Sequence, residues 1–176
     1  PNNSTAGAFP LRTPAIAVLV PCYNEAAAIG RVVADFRAAL PQARIFVYDN
    51  NSKDDTAAVA AAAGAVVRRE PLQGKGNVVR RMFADVEADV YVMVDGDDTY
   101  HAASAPLLVR KLIGEQLDMV NAARTTDVAA AFRPGHRLGN VLLTTLVNLV
   151  FGKRTNDMLS GYRIFSRRFV KTFPAL

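Results

Sequence analysis

The sequence lacks several features that would identify a common class of protein. Cys22 is its only cysteine, which excludes an intrachain disulfide and a cysteine-ligated zinc cluster. The P-loop pattern GxxxxGK followed by Ser or Thr is absent, and so is the dinucleotide-binding pattern GxGxxG. ATPase and dinucleotide-dehydrogenase functions therefore lose support. We expect neither a signal peptide nor a membrane-spanning segment, since no apolar run reaches about 20 residues.

What is present indicates a globular protein. Hydrophobic residues make up 51% of the 176 and charged residues 21%, which is enough for one domain with a buried core. Residues 1–14 contain three prolines and several small polar residues, which predicts a flexible lead-in before a single domain over 15–176. The chain begins with Pro1 rather than Met, so we expect it to be a segment of a longer protein.

Charge is unevenly distributed along the chain. Residues 1–120 contain 12 Lys or Arg and 14 Asp or Glu, whereas residues 121–176 contain nine against two. A basic segment of this kind suits an anionic partner, such as a phosphate group or a membrane surface. Nucleic acid is the weaker expectation, because the basic residues are not interleaved with aromatic residues that could stack on bases.

A short acidic motif follows a predicted buried strand. Residues 90–94 are apolar and mostly β-branched, and they lead into three carboxylates around a glycine, namely Asp95, Asp97 and Asp98. Like charges this close repel one another unless a cation lies among them, and carboxylate oxygens suit Mg²⁺ or Mn²⁺. A solvated acidic turn is the alternative interpretation, since Asp and Gly also favour turns.

Strands and helices alternate along residues 15–122. Apolar runs predict strands at 15–20, 44–48, 65–67, 90–94 and 118–122. Helical segments are predicted up to about Leu40, over 57–63, from Gly74 onward, and from Pro106 to about Ile113. This alternation predicts an α/β fold, doubly wound and mostly parallel, with helices on both faces of the sheet.

Polar clusters follow the first, second and fourth predicted strands. They are Asn24 with Glu25, then Asp49, Asn51, Ser52 and Asp54, and finally the three aspartates. In a parallel sheet these strand ends meet at one crevice, where such folds bind ligands. Asp49 could contact a ribose or a base, or could simply cap a turn, as could Ser52. Lys75, between two glycines, could place an ammonium group near a phosphate.

The basic third of the chain gives two further predictions. Residues 124–137 have little periodicity and predict a loop, whose Arg124, Arg133 and Arg137 are candidates to bind a phosphate. Residues 138–151 are strongly apolar but too few to span a bilayer. They predict a helix that is either buried in the core or held against lipid or a partner.

The order of these motifs resembles that of the family-2 glycosyltransferases. The resemblance covers roughly residues 15–170 and is carried by Pro21-Cys22-Tyr23-Asn24-Glu25, Asp49-Asn50-Asn51-Ser52, Gly74-Lys75-Gly76 and Asp95-Gly96-Asp97-Asp98. Further along, Gly139-Asn140 and residues 157–163 look like the polyprenyl-phosphate branch, typified by dolichol-phosphate mannose synthase. The resemblance implies a GT-A fold, a UDP- or GDP-sugar donor, and a polyprenyl phosphate acceptor at the cytoplasmic face of a membrane.

The resemblance also implies roles for individual residues. Asp95 and Asp97 match the DxD motif, which holds Mg²⁺ or Mn²⁺ and the donor diphosphate. The other donor-binding positions that it implies are Pro21, Tyr23, Asn24, Glu25, Asp49, Ser52, Lys75 and Gly96. Asp157 and Arg163 are candidate catalytic residues, and sugar transfer is expected to be a single displacement with inversion. A phosphate acceptor is already an anion, so it needs positive charge more than a general base.

Two departures from the family pattern matter. Its commoner Asp-Asp-Gly-Ser is Asp49-Asn50-Asn51-Ser52 here, which leaves open the role of the second carboxylate. The chain ends at Leu176, where family members usually continue, so we expect a C-terminal truncation that removes part of the acceptor site.

Three other functions stay open at this stage. One is a glycosyltransferase with a non-lipid saccharide acceptor. The second is a haloacid-dehalogenase-type phosphatase, because residues 95–99 fit DxDx followed by Thr or Val, although that family places this motif after its first strand. The third is a non-catalytic module that binds nucleotides or membranes.

Overall fold

The computed structural model describes residues 13–122 and 160–172. Within this part of the chain, six strands form one sheet in the order β3-β2-β1-β4-β6-β5. The strands are β1 Ile16–Cys22, β2 Arg44–Asp49, β3 Val66–Arg69, β4 Val90–Met93, β5 Met119–Asn121 and β6 Arg163–Ser166. The first four strands are parallel to one another, whereas β6 runs antiparallel to both β4 and β5. The predicted mostly parallel α/β sheet is confirmed.

Helices cover both faces of this sheet, as predicted. They are α1 Ile29–Ala39, α2 Thr56–Ala62, α3 Lys75–Asp85, α4 Ala105–Gly114 and α5 Arg167–Thr172, with a short 3-10 turn at Ala102–Ser104. The buried residues of α1, α2 and α4 belong to one apolar cluster, and those of α3 and α5 to a second cluster. The sheet therefore lies between two helical layers, a three-layer arrangement typical of α/β proteins.

Strand β1 is the centre of the sheet because its side chains are apolar on both faces. Val18 and Val20 lie in the cluster beneath α1, whereas Ala17 and Leu19 lie in the cluster beneath α3. All four residues are 2% exposed or less. A strand buried on both faces reads as a continuous apolar run, which is why the sequence located it.

Strand β1 nevertheless extends two residues beyond its predicted end and passes through Pro21. Proline has no backbone N–H, so it cannot donate a hydrogen bond to a neighbouring strand, and it is rare in strands that are paired on both sides. Here the pairing of β1 with β4 stops at Leu19, opposite Met93, while the pairing with β2 continues to Cys22. Because β4 has ended, Pro21 has a strand neighbour on one side only, and its missing donor disrupts no second ladder.

The sequence did not predict β6 or α5, which bring the late part of the chain into the sheet. Residues 163–166 pair with β4 on one side and with β5 on the other. The predicted loop at 124–137 and the predicted apolar helix at 138–151 lie outside the described residues, as do residues 1–12. In the described part of the chain, every helix is too short or too polar to cross a membrane.

The two edges of the sheet differ in which strand ends they contain. We call the edge after Cys22, Asp49 and Met93 the carboxyl edge, where β1, β2 and β4 end. The opposite edge, where β4 and β5 begin and β6 ends, is the amino edge. The three predicted polar clusters all follow strands at the carboxyl edge, so the topology places them together.

Candidate active site

A cleft of about 280 Å³ opens at the carboxyl edge. Six of the predicted site residues line it, namely Pro21, Tyr23, Glu25, Lys75, Asp95 and Asp97. They come from the end of β1 and the loop after it, the start of α3 and the loop after β4. Asn24, Asp49, Ser52 and Gly96 are not among the lining residues, but Asn50 of the second motif is. The structure thus brings residues of all four motifs of the resemblance around one opening.

The loops after β1 and β2 are joined by hydrogen bonds of the side chains that do not line the cleft. The backbone N–H of Asn24 donates to Ser52 Oγ (2.9 Å), and the side-chain Oδ1 of Asn24 accepts from the backbone N–H of Lys53 (2.7 Å). The amide of Ser52 in turn donates to Asp49 Oδ1 (3.2 Å). Asn24 has a φ of 56°, a left-handed conformation that asparagine tolerates better than most residues. These contacts give Asn24, Asp49 and Ser52 a structural role, while their predicted contact with a donor stays a prediction.

Asn50 holds the loop that leads into α3, a role that sequence reasoning missed. Its buried side-chain amide donates to the carbonyls of Glu70 (2.8 Å) and Leu72 (2.9 Å), and its Oδ1 accepts from the amide of Gly74 (2.8 Å). An ionised aspartate can only accept hydrogen bonds, so it could not satisfy two carbonyls. The asparagine at this position therefore fixes the backbone immediately before Lys75. One hint of this role was present in the sequence, because residue 50 is asparagine where the family more commonly has aspartate.

Glu25 is the most perturbed carboxylate in the cleft. Burial and, to a smaller extent, the nearby Asp97 raise its pKa to about 7, although the hydrogen bond from the Cys22 thiol opposes both effects. Its Oε2 atom is buried and has no hydrogen-bond partner within the described ranges. A buried carboxylate oxygen without a partner is costly, which is characteristic of a site prepared for a ligand or a cation.

Asp95 and Asp97 face the cleft, whereas Asp98 does not. The Asp95 carboxylate forms an ion pair with the ammonium group of Lys75. Asp97 Oδ1 accepts hydrogen bonds from the Thr99 hydroxyl (2.7 Å) and amide (3.2 Å). Asp98 has a φ of 60° and pairs with Arg31 at 2.9 Å, beside a separate cavity. The backbone thus turns at Asp98, while the other two carboxylates line the cleft, and their predicted role as metal ligands stays a prediction.

Gly96 allows the acidic loop to approach the first loop closely. A Cβ atom at this position would overlap the Glu25 carboxylate and lie 2.7 Å from Cys22 Sγ. Such contacts are well inside van der Waals separation, so a side chain here would push Glu25 away. Cys22 is buried, and burial raises the pKa of its thiol, so it is held as a neutral group.

The donor set fits a hard divalent cation that takes most of its ligands from a substrate. Residues 13–122 and 160–172 contain no cluster of three His, Cys, Asp or Glu side chains placed to hold a metal by themselves. Two aspartates line the cleft, and Glu25 adds an oxygen that lacks a partner there. Mg²⁺ is usually bound by one or two carboxylates together with phosphate oxygens and water, which is the environment that a diphosphate would complete here.

The predicted catalytic and acceptor residues are less well defined. Arg163 lies in β6 opposite Met93, and its Nε donates to the carbonyl of Ser160 at 3.1 Å. It does not line the cleft. Asp157, Arg124, Arg133 and Arg137 lie outside the described residues, so their roles stay predictions.

The fold and the site define a class: an α/β protein whose acidic loop, after a central strand, faces a cleft at the sheet's carboxyl edge. The sequence model described as Glycosyl transferase family 2 matches residues 17–173. The chain belongs to this family, as the resemblance of its motifs indicated. The phosphatase interpretation is wrong, since its motif would have to follow a first strand and the aspartates here follow β4.

Individual relatives agree with this assignment. The chain is 58% identical to protein RfbJ of Shigella flexneri over 123 residues, which are 69% of this chain and 95% of RfbJ. It is 31% identical to the dolichyl-phosphate hexose transferase of Haloferax volcanii over 156 residues, covering 88% of this chain and 68% of that protein.

A solved structure shows the same architecture. Glucosyl-3-phosphoglycerate synthase from Mycobacterium tuberculosis, crystallised with Mn²⁺, UDP-glucose and phosphoglyceric acid, superposes with a TM-score of 0.71 at 27% identity. The alignment covers 88% of this chain and 57% of the synthase. The chain thus spans little more than half the length of this structural neighbour.

Proposed function

We propose that this chain transfers a sugar from a UDP-sugar to a polyprenyl phosphate with the help of Mn²⁺ or Mg²⁺, inverting the anomeric carbon. The observation that carries the proposal is the convergence of Glu25, Asp95 and Asp97 with Lys75 in one cleft. Three carboxylates and one cation leave an excess of negative charge. A divalent ion with a diphosphate would compensate that excess.

The donor is held, on this proposal, by residues from three loops. The ammonium group of Lys75 forms an ion pair with Asp95. When a diphosphate binds in the cleft, this ammonium group pairs with phosphate oxygens instead. Tyr23 exposes 47% of its surface beside the cleft, so its ring is available to stack against a base. We favour UDP over GDP because the synthase with the same architecture was crystallised with UDP-glucose.

The metal would be held by Asp97 and Asp95, and when bound it supplies positive charge that stabilises the departing diphosphate. Residues of the chain itself also contribute to binding and positioning the diphosphate. Lys75 adds a second positive charge on the diphosphate side, and Gly96 keeps Asp97 beside Glu25. In the transfer, the bond from the anomeric carbon to the diphosphate oxygen breaks as a bond to an acceptor oxygen forms on the opposite face. UDP then leaves as the anion.

The acceptor is proposed to be a lipid phosphate at the cytoplasmic face of a membrane. Two observations support this choice. A relative with 31% identity is a dolichyl-phosphate hexose transferase, and residues 121–176 carry nine Lys or Arg against two Asp or Glu. A phosphate acceptor is an anion at neutral pH and requires cationic residues around it. Arg124, Arg133 and Arg137 are the proposed phosphate-binding residues, with Asp157 and Arg163 as proposed catalytic residues.

A soluble phosphorylated acceptor is the second candidate. It is favoured by one specific observation, that the structural neighbour was crystallised with phosphoglyceric acid as well as UDP-glucose. Both candidates share an anionic acceptor and the same donor site. The two differ only in what carries the phosphate.

The donor part of the proposal is tested by titrating UDP, GDP and UDP-glucose against thermal stability, with Mn²⁺ or with excess EDTA. Because a ligand that binds only the folded state stabilises it, Tm should rise with UDP and Mn²⁺ together. The rise should vanish in EDTA. An equal rise in EDTA would contradict a metal-dependent donor site.

The acceptor part requires the full-length protein and a radioactive sugar donor. We expect transfer to polyprenyl phosphate in vesicles and none to phosphoglyceric acid. Replacing Arg124, Arg133 and Arg137 together with Gln should abolish this transfer and leave UDP affinity unchanged. Efficient transfer to phosphoglyceric acid, or undiminished lipid transfer by the triple variant, would move the assignment to a soluble acceptor.

A further inference from the structure

The turn that precedes β6 lies directly against one of the cleft aspartates. A Cβ atom built on Gly161 would overlap the Asp95 carboxylate, with even the farther oxygen, Oδ1, at 2.8 Å. The absence of a side chain at residue 161 therefore creates the space that the Asp95 carboxylate occupies. Gly161 belongs to no strand or helix, and it does not line the cleft itself.

This turn is fixed from several directions. The amide of Gly161 donates to the Tyr100 hydroxyl at 2.6 Å, and Ser160 Oγ donates to the carbonyl of Ala122 at 2.6 Å. Tyr162 is 2% exposed, and its ring makes edge-on contacts with the rings of Phe36 and Tyr100. Because two hydrogen bonds and buried aromatic rings hold the turn, the backbone at residue 161 has little freedom to move away from a new side chain.

Asp95 is confined on its other side by Lys75. The ion pair holds the carboxylate toward the start of α3, and the backbone of Gly161 limits its movement in the opposite direction. A side chain enclosed in this way has few alternative positions. Its position is therefore set jointly by Lys75 and Gly161, which are 86 positions apart in the sequence.

We propose that Gly161 is a positioning residue for Asp95, with the Tyr100 hydroxyl setting how closely the turn approaches. The consequence for the reaction rests on the proposed function, in which Asp95 helps to bind the metal and the donor diphosphate. A methyl group at residue 161 would displace the carboxylate, because the backbone is fixed and the end of the aspartate side chain is the part that can move. The fold tolerates this shift, but the donor site does not.

Gly161→Ala tests this directly, with Gly114→Ala as a matched control. Gly114 ends α4, and a Cβ there would meet no atom within 4 Å. With Mn²⁺ present, we expect Gly161→Ala to weaken UDP binding on the order of 10- to 100-fold, since changing a residue that orients a metal ligand typically costs that much in metal affinity. Tm should stay close to that of the wild type. Gly114→Ala should leave both quantities unchanged.

A double-mutant cycle distinguishes positioning from a general structural role. If Gly161→Ala acts through the aspartate, it should cause no further loss of UDP affinity in an Asp95→Ala background. The same fold loss in both backgrounds, or unchanged UDP affinity in the single variant, would overturn the proposal. Tyr100→Phe removes the hydroxyl that holds the Gly161 amide, and it should weaken UDP binding less than Gly161→Ala. If Gly161→Ala fails to fold, Tyr100→Phe still tests the proposal. Unchanged UDP affinity in Tyr100→Phe would then count against it.

A crystal structure of the Gly161→Ala protein without ligand separates this inference from the proposed function. We expect the Asp95 carboxylate to be displaced and its ion pair with Lys75 to be broken, whether or not the protein binds UDP. An Asp95 that stays in place would overturn the inference. Failure of the wild-type protein to bind UDP with Mn²⁺ would instead overturn the proposed function.

Discussion

Glu25 in the cleft at the carboxyl edge and the ion-paired carboxylates at the amino edge have pKa values shifted in opposite directions. At the amino edge, Asp118 accepts from Arg168 Nε and Nη2 at 2.9 and 3.0 Å, and these hydrogen bonds hold its pKa below the usual range. Glu87 pairs there with Lys171 and Arg167, and its pKa is lowered for the same reason. At the carboxyl edge, burial and Asp97 raise the pKa of Glu25 to about 7.

The contrast shows where the molecule leaves charge uncompensated. Acidic residues at the amino edge gain from the cations around them, so they stabilise the folded state in the ionised form. Among the described residues that line the cleft, one lysine faces three carboxylates, and an oxygen of Glu25 has no hydrogen-bond partner. Perturbed groups in a cleft point to function more strongly than carboxylates in ion pairs do. The differences between the edges can be tested by substitutions at each.

The largest effect is expected for Asp97→Asn. Removing this carboxylate should weaken UDP binding in Mn²⁺ on the order of 100-fold or more, since a metal contributes several kcal/mol at such a site. Tm should not fall, because the repulsion between Asp97 and Glu25 is relieved. Isothermal titration with Mn²⁺ and with EDTA measures the first effect. Wild-type affinity in the variant would show that the cleft does not hold the ion through Asp97.

A smaller loss is expected for Lys75→Met. Among the described residues, Lys75 is the one cation that lines the cleft. Hydrogen bonds to charged groups contribute about 1.5–3 kcal/mol, so the variant should bind UDP roughly 10- to 100-fold more weakly. Lys171→Met is the matched control, since Lys171 pairs with Glu87 at the amino edge. Equal UDP affinities for the two variants, measured by the same titration, would remove Lys75 from the donor site.

Glu25→Gln should change how stability depends on pH. The folded-state pKa of Glu25 is about 7, above the ordinary 4.5, so the folded protein binds this proton more tightly than the unfolded chain does. The contribution of Glu25 is therefore greatest below about pH 4.5 and is lost as pH rises to about 7. Measured in EDTA by denaturant unfolding, the variant should gain on the order of 2 kcal/mol relative to the wild type across this window. A constant difference between the two proteins would contradict the raised pKa.

The smallest effect is expected for Asp118→Asn at the amino edge. Exposed ion pairs contribute little, so Tm should fall by about 2 °C at most, and less in 1 M salt. The lowered pKa means that this contribution is present at neutral pH and is lost as pH falls below the ordinary range for aspartate. UDP affinity should be unchanged. A loss of UDP affinity would mean that the two edges are coupled.

Much of the parallel part of the fold could be predicted from the sequence, because its strands are continuous apolar runs bounded by proline, glycine or aspartate. The predicted strands and helices before residue 123 occur within a few residues of their predicted positions. The acidic cluster could also be located, since its residues directly follow strands that end at the same edge. Only local patterns were needed for these predictions.

The features that were missed depend on contacts between distant residues. Residues 163–166 form too short a run to predict a strand, and their partner Val90–Met93 lies about 70 residues earlier. The carbonyls that Asn50 binds lie 20 and 22 residues further along the chain. The role of Gly161 depends on the side chain of a residue in another loop. Sequence spacing contains none of this information.

The position of β6 has a consequence for how the chain assembles during synthesis. Strands β1 to β4 can pair as soon as residue 93 has emerged. Among the described strands, the neighbour of β5 is β6, so that pairing waits until residues 163–166 arrive. The same strand covers the outer edge of β4, whose unpaired backbone groups could otherwise pair with a foreign strand. The interval between the synthesis of residue 93 and that of residue 166 is therefore the time for which this edge lacks its partner β6.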